Sequence, residues 1–239
     1  MTAPTVSVII PAHNEARLLG ATLEALHRAT APLPRTFEVL VVDDASTDGT
    51  AEVARQHGAG VLQVSHRQIA ATRNAGAAAS SGGYLLFLDA DTLVDGEVVR
   101  AALRTLDGGA AGGGAAVRLA GDVARHARWA AGLFVLVFRI TRIAPGCFLF
   151  CTREAFQRCG GFDERYFAGE DVAISRALAR QGRFRILREG VRTSARKLQT
   201  FSALEHLRLL LRFAWRGRGL LRSRADLDLW YGNRRHGPD

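Results

Sequence analysis

Three pairs of acidic residues stand where a fold could put them to work. Asp89-Ala90-Asp91 follows the apolar run Tyr84-Leu-Leu-Phe-Leu, Asp43-Asp44 follows Leu40-Val-Val, and Glu170-Asp171 follows Gly169. Two carboxylates at i and i+2 repel unless a cation sits between or beside them. Their oxygen ligands suit Mg2+ or Mn2+, which commonly binds through one or two carboxylates plus substrate phosphates. Such an ion neutralises charge on a departing diphosphate. A carboxylate at the 43–44 position could accept the imide N–H of uracil or a donor of another base. Two of the pairs also fit a plainer role, a solvated turn after a strand for Asp89-Ala90-Asp91 and acids favourable to a helix N-terminus for Glu170-Asp171; beside Asp43-Asp44, helix capping accounts for Ser46 or Asp48 but not for the two acids themselves.

The elements that must position these acids can be read from apolar spacing. Val6–Ile10 reads as a buried strand, and Leu18, Leu19, Thr22, Leu23 and Leu26 share a helical face with Asn14 as its N-cap. Phe37–Val42 is a β-branched run ending in acid, Asp48-Gly-Thr opens a helix over Thr50–Gln56, and Gly60–Val64 is a short strand. A helix over Gln68–Ser80 precedes the strand Tyr84–Leu88, and another covers Gly96–Leu106. Gly108–Gly114 reads as a turn into a further strand, since it lacks the Gly-Lys-Ser/Thr ending of a Walker loop. Then come a helix over Asp122–Ile140, a strand over Cys147–Cys151, a short helix over Arg153–Cys159, the loop Gly160–Gly169 and a helix over Glu170–Gln181. Repeated strand–helix alternation predicts an α/β fold, with a mostly parallel central sheet covered by helices on both faces and ligands outside the carboxyl ends of its strands. Asn14, Asp44 and Asp91 all fall at that edge.

The 239 residues suffice for one substantial core, and 48% apolar with 23% charged residues is ordinary for a globular chain. A net charge of +9 favours polyanionic partners or anionic membrane surfaces, although all but one of the 32 basic residues are Arg, as a GC-rich genome would also produce. Cys147, Cys151 and Cys159 match neither a disulfide framework nor a zinc signature, so buried thiols in a reducing cytoplasm are expected. The N-terminus does not have the pattern of a signal peptide, and the longest apolar run, Trp129–Phe138, is far short of a bilayer span. Phe201–Arg222 has the pattern of a basic amphipathic helix, which could lie on anionic lipid at the inner face of the cell membrane.

Taken in order, Val6-Ser-Val-Ile-Ile-Pro11-Ala12-His13-Asn14-Glu15, Val-Val-Asp43-Asp44-Ala-Ser-Thr-Asp48-Gly-Thr, Ala71-Thr-Arg73-Asn74-Ala-Gly76, Leu-Asp89-Ala90-Asp91, and Gly161-Phe-Asp163-Glu with Gly169-Glu170-Asp171 resemble the motifs of the family 2 glycosyltransferases of GT-A fold. The resemblance spans about residues 5–190. It implies a Rossmann-like nucleotide-binding half, an inverting mechanism, a nucleoside-diphosphate sugar donor, UDP-linked in the first instance, and a divalent metal, Mg2+ or Mn2+. Carried to matching positions, it implies that Pro11, Ala12, Asn14 and Glu15 line the nucleotide pocket and that His13 could stack on the base. Asp44, with Asp43 beside it, meets the base, and Arg73 lies near base or phosphate. Asp91 is the principal metal ligand, Asp89 assists at metal, sugar or ribose, and Ala90 lies between them in the donor site. Glu170-Asp171 matches the pair that supplies the general base, with Asp171 preferred.

Two departures qualify the match. Thr193-Ser-Ala-Arg196 stands where some relatives place a metal-binding histidine, leaving phosphate and water to complete the metal shell, and the Gln-X-X-Arg-Trp motif of processive synthases is absent. Transfer of one sugar per encounter to a saccharide or lipid-linked acceptor is expected, from a domain over residues 1–195 with a basic helical extension over 196–239. A nucleotidyltransferase of similar architecture would favour a Gly-rich, basic loop after the first strand, where this chain has Pro11-Ala-His-Asn14-Glu15. A nucleic-acid-binding module lacks a motif here, because the basic residues are dispersed and not interleaved with aromatics.

Overall fold

A computed structural model of the chain describes residues 6–119, 143–144 and 146–193. The expected helices at Asp122–Ile140 and Phe201–Arg222, and the extension over 196–239, lie outside the described residues. Eight strands form one sheet in the order β3-β2-β1-β4-β7-β6-β8-β5. They are β1 (Val6–Ala12), β2 (Phe37–Asp44), β3 (Gly60–Val64), β4 (Tyr84–Leu88), β5 (Thr92–Leu93), β6 (Gly112–Leu119), β7 (Phe148–Thr152) and β8 (Phe184–Thr193). The helices are α1 (Ala16–Thr30), α2 (Thr50–Gln56), α3 (Ile69–Ala79), α4 (Gly96–Asp107), α5 (Arg153–Arg158) and α6 (Glu170–Gln181).

The first four strands of that order are parallel to one another, while β7 runs antiparallel to both β4 and β6 and β5 antiparallel to β8. The α/β sheet is therefore parallel through the part built by repeated strand–helix units and mixed beyond β4. Successive residues of the central strands are buried on alternate faces of the sheet. Val6, Val8 and Ile10 of β1, Leu86 and Leu88 of β4, and Phe148 and Phe150 of β7 pack in one core with Leu19, Leu23 and Leu26 of α1 and Val98, Val99 and Leu103 of α4. Ile9, Leu85, Phe87, Leu149 and Cys151 pack in the other with α3, α5 and α6. A period of two on strands buried on both sides explains why these runs read as continuously apolar.

The glycine run behaves differently from the expected turn: Gly112, Gly113 and Gly114 are already strand residues of β6. A Cβ on Gly112 would sit 2.7 Å from the Phe150 carbonyl, and one on Gly113 would overlap the Phe150 ring and the Arg185 carbonyl. Close approach of backbone, not turn flexibility, is what these glycines supply.

At the amino ends of the strands, acids are tied up by local donors. Glu38 accepts from Ser7 Oγ (2.6 Å) and from Ser81 N–H and Oγ, while Arg35 and Tyr84 Oη both donate to Asp107. The opposite edge gathers the acids singled out from the sequence. There β1 and β2 end level, with Ala12 opposite Asp43, and Asp44 faces Val64 of β3. Helix α3 lies directly over this parallel core: a Cβ on Gly76 would fall 2.5 Å from Ile9 Cγ2 and 2.7 Å from Val42 Cγ2. Gly76→Ala is accordingly expected to destabilise the fold by about 1–3 kcal/mol through overpacking, read as a lower denaturation midpoint in urea; an unchanged midpoint would show that α3 is not seated on β1 and β2 at this point.

Candidate active site

The loops leaving β1, β2 and β3 are bonded to one another rather than to their own strands. Asn14, Ala45 and Arg67 all have positive φ, at 53°, 55° and 52°. A left-handed non-glycine residue costs on the order of 1–3 kcal/mol where the surrounding structure imposes it, so these three turns are held by their bonds. Asn14 does not cap α1, as the sequence spacing suggested; Glu15 occupies the cap position without a side-chain cap. The Asn14 carboxamide instead accepts from Thr47 N–H at 2.6 Å, and Asn14 N–H donates to Ser46 Oγ at 2.8 Å. The first N–H groups of α1 are met across the gap, with Glu15 N–H donating to Thr50 Oγ1 and Ala16 N–H to Asp48. Asp48 also accepts from Thr50 and thereby starts α2.

Asp43 and Asp44 are both buried. Asp43 Oδ1 accepts from Ser46 N–H (3.1 Å). Asp44 accepts three bonds from the start of α3: Arg67 N–H (2.8 Å) on one oxygen, and Gln68 N–H (3.1 Å) and Thr72 Oγ1 (2.9 Å) on the other. An ionised carboxylate offers about four acceptor positions, so Asp44 uses three in holding the start of α3 and has about one left. His13 lies against it, one ring nitrogen 2.7 Å from the Asp44 carbonyl and the other 2.6 Å from Arg67 Nη1. The tautomer that satisfies both contacts has Nδ1–H donating to the carbonyl and Nε2 accepting from the guanidinium.

The backbone of Asp89-Ala90-Asp91 is fixed from two sides. Asp89 N–H donates to the Cys147 carbonyl (3.1 Å), and Thr22 Oγ1 of α1 donates to the Ala90 carbonyl (2.8 Å). Its side chains then divide. Asp89 Oδ1 takes a 2.8 Å bond from Arg73 Nη2, whereas Asp91 is half-buried and accepts from Thr193 Oγ1 at 3.4 Å. Thr193 reaches this position because β8 ends opposite β5, with Thr92 facing Thr193. The cation expected beside the two acids is, for Asp89, the protein's own guanidinium.

Arg73 is the centre of the site. It is only 2% exposed, and it donates Nη1 to Glu170 Oε1 (3.0 Å) and Nη2 to both Asp89 and the Gly146 carbonyl (2.9 Å). Its guanidinium carbon lies 5.2 Å from the centroid of the Phe162 ring, and Nε, buried, has no acceptor among the described residues. The resemblance set Arg73 beside base or phosphate; the structure turns its guanidinium inward, onto the two acids that begin and end this edge. Charge-assisted bonds of this kind are about twice as strong as neutral ones, and the Asp89 carboxylate, with the Glu170 and Gly146 oxygens as further acceptors, offsets the cost of burying the cation.

Glu170 and Asp171 open α6 after Gly169, whose φ is 74°. Glu170 is buried and faces Arg73; burial pushes its carboxyl up to about 7, against the pull of the guanidinium. Asp171 is half-buried, accepts from Val172 N–H (2.8 Å), and is also raised, by burial first. Cys147 behind Asp89 has its thiol pushed far above the usual range by burial and by the charges of Asp89 and Asp91, so it is an inert core thiol. All three cysteines are free.

The residues singled out from the sequence therefore converge on one edge: Pro11 and Ala12 at the end of β1 with His13, Asn14 and Glu15 after it, Asp43 and Asp44 at the end of β2, Arg73 in α3, Asp89, Ala90 and Asp91 after β4, and Glu170 and Asp171 at the head of α6. Sequence reading missed Arg67, Gln68 and Thr72 as structural parts of the site, none of which carries a spacing signal, whereas Thr193, which stands where some relatives place a metal-binding histidine, does reach Asp91.

The geometry agrees with the comparisons. The family described as Glycosyl transferase family 2 matches residues 7–181. The chain belongs to that family. Among characterised relatives it is 43% identical over 96 residues to glycosyltransferase AglE of Haloferax volcanii, covering 38% of this chain and 31% of that one. It is 38% identical over 107 residues to validoxylamine A glucosyltransferase of Streptomyces hygroscopicus subsp. jinggangensis, covering 42% and 25%. The matched segments thus span a third or less of these relatives' lengths. Solved structures with the same fold include the mannosyltransferase PcManGT of Pyrobaculum calidifontis in complex with GDP-Man and Mn2+ (TM-score 0.65, 22% identity, 87% of this chain and 64% of that one). Another is S. aureus TarS 1-349 in complex with UDP-GlcNAc (TM-score 0.64, 17% identity, 95% and 78%). The GT-A architecture expected of a family 2 glycosyltransferase is the one observed.

The raised carboxyl of Glu170 gives the site a pH signature. The native state holds this proton up to about 7, whereas the unfolded chain releases it near the ordinary value of 4.5. The associated stability is fully present below about 4.5 and is lost as pH rises toward 7. Glu170→Gln keeps a neutral acceptor for Arg73 and removes the titration. Across that window the melting temperature of the native chain is expected to fall relative to that of Glu170→Gln; parallel curves from pH 4.5 to 7 would refute a raised carboxyl.

Proposed function

We propose that the chain transfers a sugar from a nucleoside-diphosphate sugar to an acceptor hydroxyl with inversion, using Asp171 as general base and Asp91 as the carboxylate for a divalent cation. The observation that supports this most directly is the division made by Arg73. It ion-pairs with one acid of each pair, Asp89 and Glu170. In this reading the half-buried Asp91 and Asp171 are the ones that meet substrate. That PcManGT was solved with GDP-Man and Mn2+, and TarS with UDP and UDP-GlcNAc, supports the donor class and the cation. We favour a UDP-sugar, because Asp43-Asp44 closes the base end of the edge with carboxylate.

The donor set fits a hard cation: Asp91 contributes carboxylate oxygen, with Asp89 close by and the Thr193 hydroxyl adjacent. Among the described residues no group of three or more His, Cys, Asp or Glu side chains could hold an ion unaided, so the donor diphosphate and water complete the shell. When bound, Mg2+ or Mn2+ would neutralise the charge accumulating on the leaving diphosphate. In the transfer step Asp171 accepts the proton of the acceptor hydroxyl as that oxygen bonds to the anomeric carbon. The bond from the anomeric carbon to the diphosphate oxygen breaks on the opposite face, its electron pair leaving with the diphosphate. One displacement inverts the anomeric centre. Glu170, paired with Arg73, keeps the head of α6 in place.

The test is a panel of nucleoside-diphosphate sugars read by melting temperature. One donor is expected to stabilise the chain only with Mn2+ present, and Asp91→Ala to abolish most of that shift. Asp171→Asn is expected to keep the shift while turnover falls about 10²–10⁴-fold, the usual contribution of a general base. Absence of any donor response in the native chain, or normal turnover in Asp171→Asn, would be decisive against the respective assignment.

Contact with an anionic membrane, the setting for a lipid-linked acceptor, is proposed from the distribution of charge. The described residues hold 18 basic and 18 acidic side chains, so the whole excess of +9 falls in the sequence segments 120–142 and 194–239. Among the described residues no helix is long and apolar enough to cross a membrane. The chain is expected to pellet with vesicles containing phosphatidylglycerol at low salt and to lose most of that binding when residues 201–239 are deleted; equal pelleting by the truncated chain would sink the idea.

A further inference from the structure

The loop 160–169, which leads into Asp171, is held by α3. Asn74 commits its whole carboxamide to it: Nδ2 donates to the Phe162 carbonyl and to Glu164 Oε1, both at 2.9 Å, and Oδ1 accepts from Phe162 N–H at 2.9 Å. Gln68, at the cap position of α3, donates Nε2 to the Glu164 carbonyl (2.5 Å) and the Tyr166 carbonyl (3.4 Å). Between these bonds Phe162 is driven into the core, edge-on to Phe87 with centroids 5.0 Å apart and beneath the Arg73 guanidinium. Gly161 must be glycine for the loop to come this close, because its φ is 73° and a Cβ would lie 2.8 Å from Asn74 Oδ1.

The same helix is fixed at its start by Asp44, through the N–H groups of Arg67 and Gln68 and the hydroxyl of Thr72. Helix α3 therefore joins the end of β2, the strand end assigned to the nucleotide, to the loop that leads into the proposed base, Asp171. Each clamp bond contributes only about 1 kcal/mol net to folding. Displacing a reacting group by about 1 Å, by contrast, can cost about 10²-fold in rate. The clamp thus matters far more for where Asp171 stands than for whether the chain folds.

We propose that Asn74 and Gln68 are positioning residues that seat loop 160–169 on α3 and thereby aim Asp171 at the acceptor hydroxyl. The proposal rests on the assignment of Asp171 as base.

Hydrogen exchange and kinetics on the full chain test it together. In Asn74→Ala, exchange across 160–171 is expected to accelerate about tenfold or more while the central strands are unaffected. With the donor that stabilises the native chain, kcat is expected to fall about 10- to 100-fold with the donor KM and the Mn2+-dependent melting shift essentially retained. Gln68→Ala is expected to follow the same pattern more weakly. Asn74→Asp sets a carboxylate against Glu164 and should be worse than alanine, and adding Glu164→Gln, which returns a donor to that contact, should recover much of the lost kcat. Unchanged exchange in Asn74→Ala, faster exchange with unchanged kcat, a loss confined to donor KM, or no recovery in the double variant would each overturn the clamp. A native chain with no donor response overturns the transferase reading itself, and the clamp's catalytic role with it; that failure is distinguishable because it is seen before any substitution is made.

Discussion

One buried guanidinium organises the catalytic edge. Arg73 lies between the end of β4 and the head of α6, and these belong to different parts of the sheet. β4 closes the parallel half, whereas α6 follows the antiparallel strands beyond it. An arginine this deeply buried is tolerable only with acceptors in good geometry, and the Asp89 carboxylate at 2.8 Å and the Glu170 carboxyl at 3.0 Å provide them. The constraint runs both ways: without the cation, two carboxylates would be left in a poorly solvated site beside a third at Asp171. The separation of the end of β4 from the head of α6 is thus set by the side chain that bonds to both Asp89 and Glu170.

Around that centre the fold treats its two edges differently. At the amino ends of the strands, Glu38 and Asp107 are saturated by serine, tyrosine and arginine donors from the same edge. At the carboxyl ends, three successive loops adopt left-handed turns at Asn14, Ala45 and Arg67 and are tied to each other through Asp48, Asp44 and His13. Crossed bonds of this kind tie the three loops to one another, so their residues do not move independently. Asp44 shows how such economy works: the carboxylate that could meet a base is the same group that starts α3.

Helix α3 carries this rigidity across the site. Its N-terminus is held by Asp44, its face by the close approach of Gly76 to Ile9 and Val42, and its outer side by Phe162 and Glu164 of the base loop. A glycosyl transferase must bring two substrates to one displacement, and here one short helix is bonded to the elements assigned to each.

Much of this was legible from the residues alone. Strand and helix positions follow from apolar periodicity, because burial on one or both faces forces a period that local sequence displays. Val6–Ile10, Tyr84–Leu88 and Glu170–Gln181 fell close to where their spacing put them. The acidic strand ends and the family motifs also located the site. What the sequence could not decide was which acid answers to which partner. Asn14 looked like a cap and is a cross-link; Asp89 and Asp91, two residues apart, divide between Arg73 and Thr193; and the glycines at 112–114 serve strand packing, not a turn. These outcomes depend on contacts between loops far apart in the chain, such as Arg73 with Glu170 and Asp91 with Thr193. Residue type and spacing determine what an acid can do, but only the packed sheet determines whether a guanidinium reaches it first.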